Sequence, residues 1–229
     1  MLLIPKLFIG QTLTEKKDST QRFYIGFNAG SIFSKFYAGS IEPGPFDTIF
    51  YENTYRPGFT AGFFVNPQSR HFSVRLGLTY TWTKHDISYK ESSISPGCGS
   101  YTTADYCLYS SALKISFLPT ITYGNNIKYY FFIGPDFVQP IYTKIKGQIH
   151  ETGWGGTSNY DLYTYDNNIK QSINVTSYII TGIGLKKSLN RNNIGVEFIL
   201  GHSMQDIIGS PSMKENFGII SIVYFLGLK

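Results

Sequence analysis

Charge is scarce in this chain: only 15% of its 229 residues are Asp, Glu, Lys or Arg, against roughly 25% in ordinary soluble domains. Long apolar runs are missing too. No stretch of about 18 uninterrupted apolar residues occurs, and that excludes a helical membrane span. The formal net charge is +5, yet the Lys and Arg residues are scattered and no nucleic-acid reading motif accompanies them, so a nucleic-acid partner is set aside. A positive excess suits anionic lipid headgroups equally well. Cysteine is nearly absent. Cys98 and Cys107 stand in "CGSYTTADYC", a Gly/Ser/Thr-rich segment that reads as loop, with no CxxC pattern and no histidine spaced for zinc. In an exported protein the two are expected to pair in a small disulfide loop contributing about 2–3 kcal/mol, two free thiols being the alternative.

What the chain has in abundance is aromatic side chains, 18 Tyr and 18 Phe, and they recur with a period of two. In "SVRLGLTYTWTK" (73–84), Val74, Leu76, Leu78, Tyr80 and Trp82 share one face, while Ser73, Arg75, Gly77, Thr79, Thr81 and Thr83 share the other. That is a strand with one apolar and one polar side. Seven further segments read as strands: 22–36, 57–66, 109–123, 128–145, 173–188, 194–203 and 217–229; 128–145 begins apolar on both faces, and Phe131, Ile133 and Phe137 are set outward because that leaves Gly134 and Asp136 inside. Tight turns are predicted at "NPQS" (66–69), "GNN" (124–126) and "LNRNN" (189–193). Long segments separate the other pairs, one of them a medium stretch through "GSPSMKEN".

Alternating long and short connections between strands, several of which reach 10–15 residues, describe an up-and-down transmembrane barrel. Strands in soluble proteins usually run about 5–6 residues, whereas crossing a bilayer at a tilt takes about 9–11. Facing follows from the same pattern. Turned inward, the apolar faces of eight strands crowd aromatic rings into one narrow lumen and leave the charges outside. Turned outward, Tyr80 and Trp82 fall near a strand end, where interfacial aromatics form a girdle. Arg75, Lys114, Asp136, Lys186 and Glu197 then fill the interior. Unpartnered buried charge costs several kcal/mol, so these five are expected to pair across the lumen. The fold class is therefore all-β, an eight-stranded antiparallel up-and-down transmembrane β-barrel with long extracellular loops and short periplasmic turns. Val74, Leu76, Leu78, Tyr80 and Trp82 face lipid.

The start, "MLLIPKLFIGQTLTEKKDST", is apolar and then polar, like the tail of a secretory signal interrupted by Lys6. Residues 1–21 read as a signal-peptide-like segment and polar leader, and 22–229 as the barrel. The expected location is the cell outer membrane of a Gram-negative bacterium.

The strands "FYIGFNAGSIFS", "PGFTAGFFV", "FSVRLGLTYT" and "YFFIGPDFV" resemble the PorT-like outer-membrane β-barrel family of Bacteroidetes. The likeness covers about residues 22–229 and rests on alternation, not on catalytic signatures. The closing "VYFLGLK" departs from the terminal aromatic frequent in outer-membrane barrels. The family includes a secretion-system component, so the resemblance implies location and fold more than activity.

Three dipeptides invite chemistry: His85–Asp86, His202–Ser203 and His150–Glu151. Each lacks the further groups that a protease site, an activated serine or a metal centre requires. No catalytic residue, metal ligand or cofactor is assigned, and the chain is read as a non-enzyme. Trp154, Tyr160, Tyr163 and Tyr165 lie in "GWGGTSNYDLYTYDNN" (153–168), whose composition suits surface recognition. The expected role is a small outer-membrane barrel of structural or interaction type with a side-chain-filled lumen, as an accessory of a surface or secretion complex. Its expected partners are outer-membrane lipids, lipopolysaccharide and proteins of such a complex. Two other readings stay open: a barrel enzyme acting on lipid or peptide, and a soluble lipocalin-like ligand carrier.

Overall fold

Alternating strands collect their apolar side chains on one face of a sheet and their polar ones on the other. The computed structural model describes residues 22–38, 47–54, 56–69, 71–95, 98–153, 156–162, 175–204, 208–209 and 212–228, and in it this sheet closes on itself. The wall strands are β1 (Arg22–Ala38), β3 (Arg56–Gln68), β4 (Phe72–Ser95), β5 (Cys98–Tyr123), β6 (Ile127–Gly153), β8 (Thr176–Leu189), β9 (Asn192–Ser203) and β11 (Ser212–Leu228). Each pairs antiparallel with the next, and β1 pairs with β11 from Phe23↔Leu228 to Ala38↔Met213 to complete the ring. Three short strands attach to this wall: β2 (Asp47–Thr54) on β4, β7 (Gly156–Leu162) on β6 and β10 (Ile208–Gly209) on β11.

One end of the barrel carries the tight turns. Ser69 closes the β3–β4 turn by donating its backbone N–H and its hydroxyl to the Phe72 carbonyl, both at 2.9 Å. Gly124 (φ 99°) and Asn190 (φ 57°) supply the left-handed backbone in the β5–β6 and β8–β9 turns, a region open to glycine and tolerated by asparagine.

The other end differs from expectation. The segments after His85 and before Leu108 continue β4 and β5 as one hairpin, paired out to Ser95↔Cys98. β6 likewise runs on to Gly153 and takes β7 as a neighbour. Ser, Thr and Tyr hide such strands from a hydropathy reading, because a strand standing in water needs no apolar face, yet Thr and Tyr favour extended backbone. The hairpin also overturns the disulfide. Cys98 and Cys107 occupy the same extended strand nine positions apart, roughly 30 Å, and Cys107 is a free thiol.

The outer wall shows where the apolar medium ends. On β4 it carries Phe72, Val74, Leu76, Leu78, Tyr80 and Trp82, then Lys84, Asp86, Ser88 and Lys90. Past Trp82 the outside becomes charged, while Thr83, His85, Ile87 and Leu108 are buried on the inner side. The strand continues to Ser95, roughly 40 Å of extended chain beyond the apolar belt.

Inside, the lumen is filled by a recurring device. Gly26, Gly182, Gly184 and Gly201 stand directly across from Phe64, Phe132, Tyr130 and Phe217 on the neighbouring strand. Each ring lies over its glycine so closely that a Cβ there would come within 1.9, 2.3, 2.2 and 2.2 Å of it, respectively. Rings folded flat over bare backbone let a narrow cylinder hold large side chains, the arrangement known as aromatic rescue of glycine. Gly26→Val should push Phe64 off its seat and lower stability by about 1–3 kcal/mol. The check is the urea midpoint of the detergent-refolded barrel, with Gly26→Val/Phe64→Leu expected to recover part of the loss.

Candidate functional site

Two regions concentrate polar chemistry: the middle of the lumen, and its mouth at the end away from the tight turns.

At mid-lumen β4 aims Arg75 inward and β9 aims Glu197 at it. Arg75 Nη1 and Glu197 Oε1 form a direct ion pair, and both side chains are buried. The same Oε1 accepts the Tyr130 hydroxyl at 2.7 Å. The Arg75 guanidinium lies 3.7 Å from the Phe64 ring centre and 5.7 Å from that of Phe132. The other expected members of this set settle differently. Lys186 donates to Gln68 Oε1 (3.3 Å) and sits 4.7 Å from the Phe225 ring centre. Lys114 lies 3.8 Å from the centre of Phe217. Asp136 accepts from Ser116 Oγ at 2.8 Å. Of the five charges, Arg75 and Glu197 meet directly, while Lys114 faces Asp136 and Lys186 faces Glu197 at longer range. Aromatic faces hold the two ammonium groups because a ring quadrupole attracts a cation strongly where water is excluded. Between Arg75, Lys114, Asp136 and Asn28 the remaining cavity is about 30 Å³, room for a water or two.

At the mouth, His85 is buried on the inner face with Ser34 Oγ 3.2 Å from its Nε2 and the Phe36 ring centre at 4.3 Å. β1 and β4 are not neighbours; β3 stands between them, and Ser34 and His85 meet past it on the inner face. Glu215 of β11 also faces this region, accepting the Tyr178 hydroxyl at 2.6 Å and donating its backbone N–H to Ser203 Oγ at 2.9 Å. Asp86 points the opposite way, to the outer face. There it receives Arg56 (2.6 Å) and the Cys107 thiol (3.1 Å), with Lys84 at 3.5 Å. The Cys107 hydrogen bond, with Arg56 and Lys84 beside it, holds the Asp86 carboxyl below the usual range. Burial and Asp86 push the Cys107 thiol up, so it stays protonated.

The dipeptide candidates therefore come apart. His85 and Asp86 lie on opposite faces, as do His202 (outer, bonded to Asn216 Oδ1) and Ser203 (inner, fully buried). His150 and Glu151 are consecutive on β6 and separate in the same way. Ser34–His85 is a Ser–His contact that does form among the described residues, and adjacency in sequence gave no sign of it. Both its members are about 1% exposed, so no substrate reaches the hydroxyl. Val74, Leu76, Leu78, Tyr80 and Trp82 all stand on the outer wall. An outer groove of about 550 Å³ between Tyr129, Phe131, Ile183, Leu185, Val196 and Phe198 is apolar and belongs to that wall. Trp154, Tyr163 and Tyr165 lie outside the described residues, as do residues 1–21, and Tyr160 is placed on β7 by its backbone.

No family model matches the chain, and no curated protein does. Solved structures with a similar chain path include Neisserial surface protein A (12% identity, 89% of this chain and 96% of that one, TM-score 0.44). Ail, the attachment invasion locus protein of Yersinia pestis, is 9% identical over 90% of this chain and 99% of its own, with a TM-score of 0.33. The outer membrane protein OprG from Pseudomonas aeruginosa is 10% identical over 91% and 94%, with a TM-score of 0.40. Likenesses this remote add no argument; the barrel rests on its own ladders, and the PorT-like resemblance on the residues that carry it.

Glu197→Gln should cost about 3–5 kcal/mol by leaving Arg75 buried without its counter-ion, whereas Arg75→Met/Glu197→Leu should lie near wild type. Urea unfolding of the two variants in one detergent decides this. The mouth should respond to pH. Burial lowers the His85 pKa below the ordinary 6.5 despite nearby Glu215 and Asp86, so the opened state binds the extra proton. Packing there is retained above about pH 6.5 and lost as pH falls below it. The protection factors of residues 83–88, taken against intrinsic exchange at each pH, should fall between pH 6.5 and 5, and His85→Phe should flatten that response.

Proposed function

We propose that the chain is a closed outer-membrane barrel of a Gram-negative bacterium that acts through its surface sheet, as a structural or interaction component of a surface or secretion complex. One observation carries this reading. β4, β5 and β6 run for 24, 26 and 27 residues, more than twice the length needed to cross a bilayer, above a lumen packed with rings and ions. A chain that needs only an anchor has no use for the extra strand length, and a pore has no use for the filling. With β2 and β7 added, the extension is a five-stranded antiparallel sheet standing on one side of the barrel. The long-strand end is the extracellular one, since outer-membrane barrels keep their short turns in the periplasm. PorT-like membership, with lipids, lipopolysaccharide and proteins of a surface assembly as partners, fits both features. The buried Ser34–His85 contact and the divergent His85–Asp86 and His202–Ser203 pairs weigh against an enzyme. The outward rows of Phe, Ile and Leu weigh against a soluble ligand carrier, which turns such rows inward.

In a planar bilayer the refolded chain should give no conductance steps above background; a sustained open channel would overturn the closed-lumen reading. Tyr89 and Ala104 are cross-strand partners, so the hairpin can be shortened by joining them through a two-residue turn in place of residues 90–103. This variant should keep the heat-modifiable gel mobility of a folded barrel and lose the partners that the full chain retains on pull-down from the outer-membrane fraction.

A further inference from the structure

The register of β4, β5 and β6 sets up two successive rows on the outer face at the edge of the apolar band. The lower row is Trp82–Ser111–Tyr142, with both rings exposed and Ser111 covered between them. The next row up is Lys84–Tyr109–Lys144, and the one above it is Asp86–Cys107–Lys146. Successive rows on one face are roughly 7 Å apart along the strand. Three ammonium groups therefore stand immediately above an aromatic row of the kind that marks the membrane interface. Lys84 and Lys144 are two strand spacings apart, roughly 10 Å, and the Tyr109 ring lies between them with Lys84 Nζ 5.6 Å from its centre. The only carboxylate in these rows is Asp86, already engaged by Arg56 and Cys107 and 3.5 Å from Lys84. Lys144 and Lys146 have no carboxylate partner among the described residues. Arg56 and Lys90 add positive charge on the same outer face and Asp105 a negative one, and by backbone register Glu52 stands opposite Ser88 and Asp161 opposite Gln148 in the rows above.

We propose that this patch binds the phosphate of a phosphorylated lipid headgroup in the outer leaflet, with Lys84, Lys144 and Lys146 as the cationic ligands and Tyr109 as the floor between them. The inference rests on the outer-membrane reading and on the orientation it assigns. Depth selects the lipid over an anion free in solution. A chain lying against Trp82 and Tyr142 with its tail along Tyr80 and Leu113 brings its headgroup to the height of the lysine row. The lysines act as point charges on long stems, which suits a phosphate whose position varies by an ångström or two.

The full chain, refolded in detergent, is titrated in mixed micelles with bisphosphorylated lipid A and with the same lipid dephosphorylated. Wild type should bind the phosphorylated form about tenfold tighter or more. K84Q/K144Q/K146Q should lose that preference while keeping heat-modifiable mobility. K187Q, on the outer wall at the opposite end, should leave the preference intact. Equal binding of the two lipids, or a triple variant that still discriminates, would overturn the proposal. So would displacement of lipid A by an equal concentration of inorganic phosphate, which would point to a soluble anion, or by a polyglutamate peptide, which would point to an acidic protein. A chain that fails to shift on heating and partitions into the aqueous phase fails the membrane reading itself; a folded barrel without phosphate preference fails only this inference.

Discussion

Backbone closure is the constraint from which the rest of this molecule follows. In hydrocarbon no solvent bonds to an exposed N–H or C=O, so a sheet at membrane depth has to end on itself. Here the closing seam is the β1–β11 ladder, sixteen consecutive partners from Phe23↔Leu228 to Ala38↔Met213. Eight strands close to a cylinder only wide enough for side chains. The inner face must then be filled without voids by residues that alternate with a lipid-facing set. The opposed Gly and aromatic positions meet that demand strand by strand: Phe64 over Gly26, Phe132 over Gly182, Tyr130 over Gly184, Phe217 over Gly201.

The filling explains the charges. Rings folded inward present their faces toward the axis, and those faces are where Arg75, Lys114 and Lys186 settle, 3.7, 3.8 and 4.7 Å from the nearest ring centres. A guanidinium between Phe64 and Phe132 still requires an anion, and Glu197 supplies it, tied by Tyr130. The buried charge thus sits within the ring packing of the lumen. Above the belt the outer face changes at a definable place. After Trp82 the outer face of β4 carries Lys84, Asp86, Ser88 and Lys90 in succession, while Ile87 is buried on the inner side.

The facing of residues 73–82 was legible because two independent signals agreed, the period of two and the order of long and short connections. The interior positions of Arg75 and Glu197 followed from parity alone. Their direct contact needed the register around the ring, which no single strand reveals. The lumenal aromatics were harder still: Phe64 and Phe132 look like lipid-facing residues out of phase until each is set against the glycine opposite. Strand extension past His85 was hidden because Ser, Thr and Tyr on both faces carry no hydropathic period, so residues 86–108 read as loop and Cys98 and Cys107 as a loop-closing pair. Extended backbone places those two far apart.

The same parity decides where chemistry is to be sought on this fold. Neighbours in a strand point to opposite sides of the wall, so His85–Asp86 and His202–Ser203 divide between lumen and outer surface however suggestive they look as dipeptides. Residues that act together are those sharing a row across strands or an inner face across the lumen. Ser34 and His85 meet by the second route and are sealed from solvent. Lys84, Tyr109 and Lys144 meet by the first, and lie on the side of the wall where a partner has access. Rows of the first kind lie on the outer face, near the height where the apolar belt ends. There a row of three residues from three strands makes a surface that the linear sequence, with more than twenty positions between successive members, keeps out of sight.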